Sequence, residues 1–242
     1  MIMELTNIEQ YKINYKILDG GAIPQSFPNL ENNHLVFDEH TDLFDINLFE
    51  LRDEYTQKYG FALVAYDWIK ILAEFISKSK CLEVMAGTGL ISKALQNCGV
   101  DIICTDNLSW ENKVTYNEWK KHFTDVESLD AIEAVKKYGK DVSYIIMSWP
   151  YMDDTCYRVY QTMKEINPDC MIIYIGEGDG GCTACDEFFE NTQMSLRWLY
   201  SLERLESYDD EPFSKDVLSI TEKLNEVFPS FYGIHDRISF VK

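Results

Sequence analysis

The residues best placed to do chemistry lie where an apolar run changes abruptly into a glycine turn. The segment C-L-E-V-M-A-G-T-G, residues 81–89, contains one acid, Glu83, and ends in glycines. Glycine at such a turn tolerates positive φ and lets backbone N–H groups approach a ligand without a Cβ in the way. A helical pattern follows at once, with Ile91, Ala94 and Leu95 on one face. This strand, turn and helix predict a site for a nucleotide-like cofactor.

The glycine spacing indicates which kind of cofactor to expect. A dinucleotide fingerprint requires a third glycine, in the spacing G-x-G-x-x-G, and Ser92 occupies that position when it is counted from Gly87. With Glu83 inside its strand, the segment instead resembles motif I of class I S-adenosylmethionine (SAM) methyltransferases, which is an apolar strand, an acid and then G-x-G-x-G. The first glycine of that family pattern falls on Met85 here. An ordinary glycine turn of an α/β protein is the alternative interpretation.

A second predicted strand, at residues 100–104, ends at Thr105, Asp106 and Asn107. An acid at the end of this strand can accept hydrogen bonds from both hydroxyls of a ribose, in SAM and NAD folds alike. Asp106 therefore predicts a nucleoside without choosing between the two cofactors. The alternative is that Asp106 caps a helix, since Asp favours that position.

The third predicted strand, near residues 124–129, is followed by Asp130 and Ala131. The resemblance implies that Asp130 meets the adenine amino group and that a neighbouring backbone N–H, here that of Ala131, meets a ring nitrogen. A simple N-cap role for Asp130 fits the sequence equally well. The residues expected to bind the cofactor are Glu83, Ala86, Gly87, Thr88, Gly89, Asp106, Asn107, Asp130 and Ala131.

A fourth predicted strand, at residues 142–147, ends in Ser148, Trp149, Pro150 and Tyr151. This loop resembles motif IV of amino-methylating methyltransferases, D/N-P-P-Y/F, in which a polar residue accepts hydrogen bonds from the target amine and an aromatic ring stacks on a planar substrate. Ser148 replaces the acid or amide, and its hydroxyl is a weaker acceptor. We expect Ser148 and Tyr151 to be catalytic, with Trp149 and Pro150 on the substrate side. The alternative is a buried Trp-Pro turn that caps the sheet.

The fifth predicted strand, residues 171–175, opens into the loop G-E-G-D-G-G-C-T. Ligands of doubly wound sheets lie outside the carboxyl ends of the strands, so Glu177 in this loop is a candidate to orient the substrate or accept a proton. Near the end of the chain, His235 precedes an alternating segment and is a candidate for the substrate side. A solvated glycine loop and a structural histidine are the alternatives.

Residues 61–242 as a whole resemble a class I methyltransferase. The patterns K-Y-G-F-A at residues 58–62, G-E-x-x-G-G-C-T and G-I-H-D-R are similar to those of an uncharacterised group of predicted methyltransferases in that superfamily. The resemblance implies a doubly wound, Rossmann-like α/β fold, mostly parallel with one antiparallel strand near the C-terminus, and SAM as cofactor. Residues 1–60 are expected to form an N-terminal extension or lid. Within it, residues 11–17 alternate weakly like a strand and residues 47–59 are predicted to be helical; residues 61–76, which follow it, are also predicted to be helical.

Composition limits the remaining possibilities. The chain has 242 residues, 46% of them hydrophobic, which suits one α/β domain. No long apolar stretch predicts a membrane span. The net charge of −19 disfavours nucleic acid as a partner and leaves a small molecule or a protein as the expected substrate. This charge would steer a cationic substrate such as an amine, or would serve solubility alone.

The cysteines predict a compartment. There are seven, and Cys182 and Cys185 form a single C-x-x-C. Without a second pair or a nearby histidine, this favours free thiols over a metal site. The first residues also lack a basic start before an apolar core, so we expect a cytoplasmic protein with no metal. Nothing in the sequence indicates an oligomeric state.

The function that the sequence favours is methyl transfer from SAM to a small-molecule or protein nucleophile. A non-catalytic SAM-fold module that binds a partner is one alternative, and Met85 and Ser148 favour it. An NAD-dependent oxidoreductase is the other, and Ser92 together with the S-W-P-Y loop disfavours it.

Overall fold

The computed structural model describes residues 6–30, 46–111, 119, 121–196 and 212–242. The helices in these ranges are α1 (Asn7–Asp19), α2 (Ile46–Lys58), α3 (Tyr66–Ile76), α4 (Leu90–Asn97), α5 (Ala131–Tyr138), α6 (Thr155–Ile166), α7 (Asp186–Asn191) and α8 (Lys215–Val227). The strands are β1 (Cys81–Val84), β2 (Ile102–Asp106), β3 (Glu127–Ser128), β4 (Tyr144–Ser148), β5 (Met171–Gly176) and β6 (Arg237–Val241).

The strands form a six-stranded sheet in the order β3-β2-β1-β4-β5-β6. All neighbouring pairs are parallel except the last, in which β6 runs antiparallel to β5 with Ile172 opposite Val241 and Gly176 opposite Arg237. The predicted fold class is therefore confirmed, including the late antiparallel strand. The strand order reverses between β1 and β4, and such a switch point leaves a crevice at the carboxyl ends of the strands.

Helices cover both faces of this sheet. Alternate residues of the central strands enter two hydrophobic clusters, with Ile146 and Ile173 on one side and Ile145 and Ile172 on the other. Helices α1 to α4 and α8 contribute to the first cluster, and α5 to α7 contribute to the second. Burial on both faces explains why these strands are nearly continuous apolar runs in the sequence.

The strand predicted at residues 11–17 was wrong, because this segment belongs to α1. Thr6 and Glu9 form a capping box that starts the helix: the Thr6 N–H donates to the Glu9 carboxylate at 2.9 Å, and the Thr6 hydroxyl accepts from the Glu9 N–H at 3.3 Å. The buried residues then recur at helical spacing. They are Tyr11, Asn14, Tyr15 and Leu18.

The helix predicted at residues 61–76 begins only at Tyr66, so that prediction was wrong for residues 61–65. Tyr55 of α2 holds this short non-helical segment in place. Its hydroxyl donates to the Ala62 carbonyl at 3.0 Å and accepts from the Val64 N–H at 3.0 Å. Two backbone groups of the segment are thus paired with a side chain of α2 and not with helical partners.

Helices α1 and α2 share the hydrophobic cluster of the rest of the chain. The ring of Tyr11 lies 5.8 Å from that of Phe231, and the ring of Tyr55 lies 5.6 Å from the same phenylalanine. The described part of residues 1–60 is therefore packed into the main core, while its role as an extension or lid stays a prediction. Within the described ranges, no helix is long and apolar enough to cross a lipid bilayer.

Candidate active site

A cavity of about 520 Å³ lies at the switch point, beside the carboxyl ends of β1, β2 and β4. Its volume is in the range of small-molecule and cofactor sites. The predicted site residues that line it are Glu83, Ala86, Gly87, Thr88, Asp106, Asn107, Asp130, Ala131, Ser148, Trp149, Pro150 and Tyr151. Gly89, Glu177 and His235 are not among its lining residues.

Glu83 places a carboxyl group in the cavity wall although the residue is only 1% exposed. Its Oε2 accepts hydrogen bonds from the backbone N–H of Ser92, at 3.0 Å, and from the Ser92 hydroxyl. Burial raises the pKa of Glu83 to about 7; the bonds from Ser92 oppose this rise, and the nearby charge of Asp106 adds to it. Among the described residues, nothing bonds its Oε1, so this oxygen can accept a hydrogen bond from a ligand.

The sequence analysis used Ser92 only to exclude a dinucleotide fingerprint. In the structure, Ser92 lies in the first turn of α4 and holds the Glu83 carboxylate through its backbone and its hydroxyl. An anion at a helix N-terminus is stabilised by the helix dipole as well as by the exposed N–H groups. Ser92, at the position of the missing glycine, therefore has a structural role, which is to bind Glu83, and local spacing did not reveal it.

The turn after β1 is left-handed at Met85 (φ 56°), Gly87 (φ 56°) and Gly89 (φ 71°). Met85, at the position where the methyltransferase motif has its first glycine, thus has a positive φ. A side chain in this conformation stores roughly 1–2 kcal/mol of strain. Met85 packs against the cluster under α5 to α7, and it also lines the cavity. The cavity is therefore present with the methionine as part of its wall.

The two glycines of this turn face different surroundings. A Cβ on Gly87 would lie 3.2 Å from a ring carbon of Trp119, another cavity residue. A Cβ on Gly89 would lie 3.0 Å from side-chain carbons of both Thr124 and Val126. Gly89 is also the N-cap residue of α4. Gly87 is therefore at the cavity, whereas Gly89 allows the turn to pack against the protein interior.

Asp106 joins the turn after β1 to the loop after β2. Its Oδ2 accepts from the Gly87 N–H at 2.8 Å, and its Oδ1 accepts from the Leu108 N–H at 2.6 Å and from Trp110 Nε1 at 3.0 Å. A carboxylate has about four lone-pair positions, so Oδ2, which makes one bond among the described residues, keeps capacity for a ligand hydroxyl. Asn107, the next residue, accepts from the Ser109 N–H at 2.9 Å.

Asp130 is the N-cap of α5, which was one of its two predicted roles. Its Oδ1 accepts from the N–H groups of Ile132, at 2.9 Å, and Glu133, at 3.4 Å. The other carboxylate oxygen makes no bond to any described residue, and both Asp130 and Ala131 line the cavity. Capping therefore leaves one acceptor of Asp130 for a ligand.

Aromatic rings form a continuous part of the cavity wall that the sequence analysis largely missed. Phe61 and Trp149 stack with ring centroids 5.6 Å apart and planes 22° apart. The ring centroids of Phe61 and Trp119 lie 5.7 Å apart in an edge-to-face arrangement, and those of Trp119 and Trp110 lie 5.2 Å apart in the same arrangement. Phe61 belongs to the K-Y-G-F-A pattern that carried the family resemblance. Trp110 and Trp119 had no local signal, because only the fold brings them to the cavity.

The loop after β4 is held from two directions. The backbone N–H of Trp149 donates to the Ile175 carbonyl at 2.7 Å, and the Pro150 carbonyl accepts from the Ala184 N–H at 3.1 Å. The indole Nε1 of Trp149 donates to Oδ2 of Asp236 at 3.0 Å. Burial raises the pKa of Asp236 to about 6, against the lowering effect of its bonds from Ser230 and Trp149.

The structure brings Glu177 and His235 together but outside the cavity lining. The Glu177 carboxylate accepts from the Cys182 N–H at 2.8 Å and from the His235 backbone N–H at 3.2 Å. These bonds fasten the loop between β5 and α7 to the segment before β6. A structural role accounts for Glu177, and the substrate and proton-transfer roles of both residues stay predictions.

The cysteine pair shows no arrangement for a metal. Cys182 is exposed, and the Sγ of Cys185 lies 3.9 Å from the Sγ of Cys156 in α6. Across the residues that the structure describes, no group of three or more His, Cys, Asp or Glu side chains is placed to hold a metal ion.

Comparison with known proteins found similar solved structures. A SAM-dependent methyltransferase from Archaeoglobus fulgidus is 14% identical, with 72% of this chain and 94% of that chain covered and a TM-score of 0.40. TehB from Haemophilus influenzae is 15% identical over 78% and 65% of the two chains, with a TM-score of 0.39. A SAM-dependent methyltransferase from Agrobacterium tumefaciens is 14% identical over 72% and 58%, with a TM-score of 0.34.

This chain spans less than two thirds of the TehB and Agrobacterium chains. No protein-family model matches it, and no curated protein matches it. The strand order, with β6 antiparallel at one edge, defines a class I SAM-methyltransferase-like fold.

Proposed function

We propose that the chain is a SAM-dependent methyltransferase that acts on a small-molecule or protein nucleophile. One observation carries this proposal: a single cavity at the switch point receives polar groups from the ends of successive strands. Those groups belong to Glu83, Gly87, Asp106, Asp130 and Ser148. In a doubly wound sheet, this is the place where ligands bind.

SAM carries an ammonium, a carboxylate, a ribose diol, an adenine and a positive sulfonium, and the polar side chains of the cavity fit the ammonium, the ribose and the adenine. The buried Oε1 of Glu83 suits the ammonium, since no described residue bonds it. The Oδ2 of Asp106 has capacity for a ribose hydroxyl. The second oxygen of Asp130 suits the adenine amino group, and Ala131 follows it at the start of α5. A cavity wall with these acids supports a cationic ligand.

When bound, SAM supplies a methyl group that its sulfonium has already activated toward a nucleophile. The protein's own residues then provide proximity, alignment and exclusion of water. Ser148 lines the cavity and its hydroxyl makes no hydrogen bond to a described residue, so this hydroxyl can accept one from the methyl acceptor. Tyr151, 50% exposed, also lines the cavity, and its ring can contact the acceptor.

Isothermal titration calorimetry of the purified protein with SAM, its demethylated product S-adenosylhomocysteine and NAD tests the proposal. We expect the two adenosyl ligands to bind and NAD not to bind. Glu83→Gln should weaken SAM binding by roughly 10- to 100-fold, because a charge-assisted hydrogen bond to the ammonium is lost. Glu165→Gln, the same change at an exposed position of α6, is the matched control. Binding of NAD without SAM would refute the proposal.

A non-catalytic SAM-binding module is the second candidate. Met85 in the cavity wall at a family glycine position, and a serine in place of the motif IV acid or amide, favour it. Incubation of the protein with labelled SAM and a metabolite extract separates the two candidates. A methyltransferase forms S-adenosylhomocysteine and a labelled product, whereas a module binds SAM without turnover.

A further inference from the structure

The charges of the cavity wall are all of one sign among the described residues. The ionisable carboxyl residues that line it are Glu83, Asp106, Asp130 and Asp153, and no described Lys, Arg or His lines it. Arg52 lies 5.9 Å from the ring centroid of Trp149 but is not a lining residue. A methyl acceptor that carries a phosphate or carboxylate would lie near Asp153 with no described cation in the cavity lining to pair with it, which is unfavourable.

The loop between β4 and α6 supplies an acid that has no role in the proposed contacts with the cofactor. Asp153 lines the cavity, and its Oδ1 accepts from the Thr155 N–H at 3.0 Å. Its other oxygen has no partner within the described ranges. The neighbouring Asp154 does not line the cavity and lies 4.0 Å from Arg158. Asp153 is therefore positioned to attract a positive group on a ligand, and Asp154 is not.

Aromatic rings face the same loop. Phe61 lines the cavity from the segment between α2 and α3, and Trp149 and Tyr151 line it from the loop after β4. Rings of this kind gain from contact with a planar ligand and attract cations through their electron-rich faces. The unpartnered hydroxyl of Ser148 adds an acceptor for an N–H group.

From these three features we infer that the acceptor part of the cavity takes a small arylalkylamine, a planar ring that carries a protonated alkylamine, in preference to carboxylates and phosphates. The inference rests on the proposed function, because it names the class of methyl acceptor at that site. The ring of the amine contacts the aromatic wall, and its nitrogen lies on the side of Ser148 and Asp153. Both ring and positive charge contribute to binding, so neither suffices alone. The bound ammonium has no lone pair, so it first gives a proton to the free carboxylate oxygen of Asp153, and the neutral nitrogen is then the nucleophile.

Three probes separate these contributions: tryptamine has a ring and a cation, indole-3-acetate has the same ring and an anion, and hexylamine has a cation without a ring. Each probe is titrated into the protein by calorimetry with S-adenosylhomocysteine present. The affinity for tryptamine should be at least about tenfold higher than that for either other probe. Indole-3-acetate binding as tightly as tryptamine would overturn the charge preference. Hexylamine binding as tightly would overturn the requirement for a ring.

Matched variants locate the binding site. Asp153→Asn keeps the acceptor for the Thr155 N–H and removes the charge, so tryptamine affinity should fall about two- to fivefold, whereas Asp154→Asn should leave it unchanged. Tyr151→Leu should weaken tryptamine binding, and Phe49→Leu, at an exposed aromatic outside the cavity lining, should not. Equal effects of the two aspartate variants would contradict the inference.

The proposed function can fail separately. If S-adenosylhomocysteine does not bind, the three probes are titrated without it. Tighter binding of tryptamine than of the other two probes would then support an arylalkylamine site that has no methyl donor. If tryptamine does not bind more tightly than the other two probes, the inference is refuted as well as the proposed function.

Discussion

The indole Nε1 of Trp149 donates a hydrogen bond of 3.0 Å to Oδ2 of Asp236, which joins the cavity wall to the residue before β6. Asp236 is 2% exposed, and its Oδ1 accepts from the Ser230 hydroxyl at 2.5 Å. Trp149 has a φ of 50°, a conformation that persists only where surrounding contacts impose it. The orientation of one cavity wall therefore depends on the carboxyl group of the residue that precedes the last strand of the sheet.

A double-mutant cycle tests this relationship. Trp149→Phe and Asp236→Asn each remove or weaken the same bond, so their effects on the free energy of unfolding should not add. We expect a coupling of about 1–2 kcal/mol from urea denaturation. A cycle of Trp149→Phe with Glu165→Gln should give no coupling. Additive effects in the Trp149 and Asp236 cycle would contradict the assignment of this bond.

Stability should fall as the pH rises from about 4 to 7. Burial raises the pKa of Glu83 from 4.5 to about 7 and that of Asp236 from 3.8 to about 6. The folded protein therefore holds protons that the unfolded chain has released. The resulting stabilisation is complete below the unfolded pKa values and is lost as the pH rises through the folded ones.

The comparison that measures this effect is wild type against Glu83→Gln/Asp236→Asn, unfolded in urea at pH 5, 6 and 7. Each raised pKa corresponds to at most roughly 3 kcal/mol, and the amide variant lacks both contributions. The stability of the variant should therefore change less over this range. Glu165→Gln should follow the wild type, and parallel curves for wild type and double variant would refute the prediction.

Two glycine substitutions should have different effects although both positions have positive φ. Gly89→Ala places a methyl group 3.0 Å from Thr124 and Val126, in addition to the strain of a φ of 71°, so we expect a loss of about 2–4 kcal/mol. Gly180 has a φ of 81° and no atom within 4 Å of its ideal Cβ, so Gly180→Ala should lose about 1–2 kcal/mol. If urea denaturation shows equal losses in the free energy of unfolding for the two variants, the atoms around Gly89 do not restrict a Cβ.

Tyr55→Phe should destabilise the protein by about 1–3 kcal/mol, because it leaves the buried Val64 N–H without its acceptor. SAM binding should also weaken, since Tyr55 holds the segment that contributes Ala62 and Val64 to the cavity. Thermal unfolding and calorimetry measure the two effects. Tyr157→Phe is the control, because the Tyr157 hydroxyl bonds no described residue. An effect no larger than that of the control would contradict the proposed role of Tyr55.

The sequence by itself determined the parts of the site that depend on local pattern. Apolar runs predicted the parallel strands, and the breaks in those runs placed Glu83, Asp106 and Ser148 near strand ends. Because the carboxyl ends of parallel strands meet at one edge of a sheet, side chains in these positions line one cavity. The late antiparallel strand also followed from local alternation of residue types, although the structure buries Ile238, Ser239, Phe240 and Val241 alike.

Only the tertiary structure decided which partners these residues have. The hydroxyl and N–H that hold Glu83 come from the helix after its strand, whereas the contact of Trp119 with Gly87 and the bond from Trp149 to Asp236 join residues that are distant in the chain. The same contacts direct Glu177 toward the segment before β6 and not into the cavity. Local periodicity contains no information on such contacts, because they arise when whole elements pack side by side.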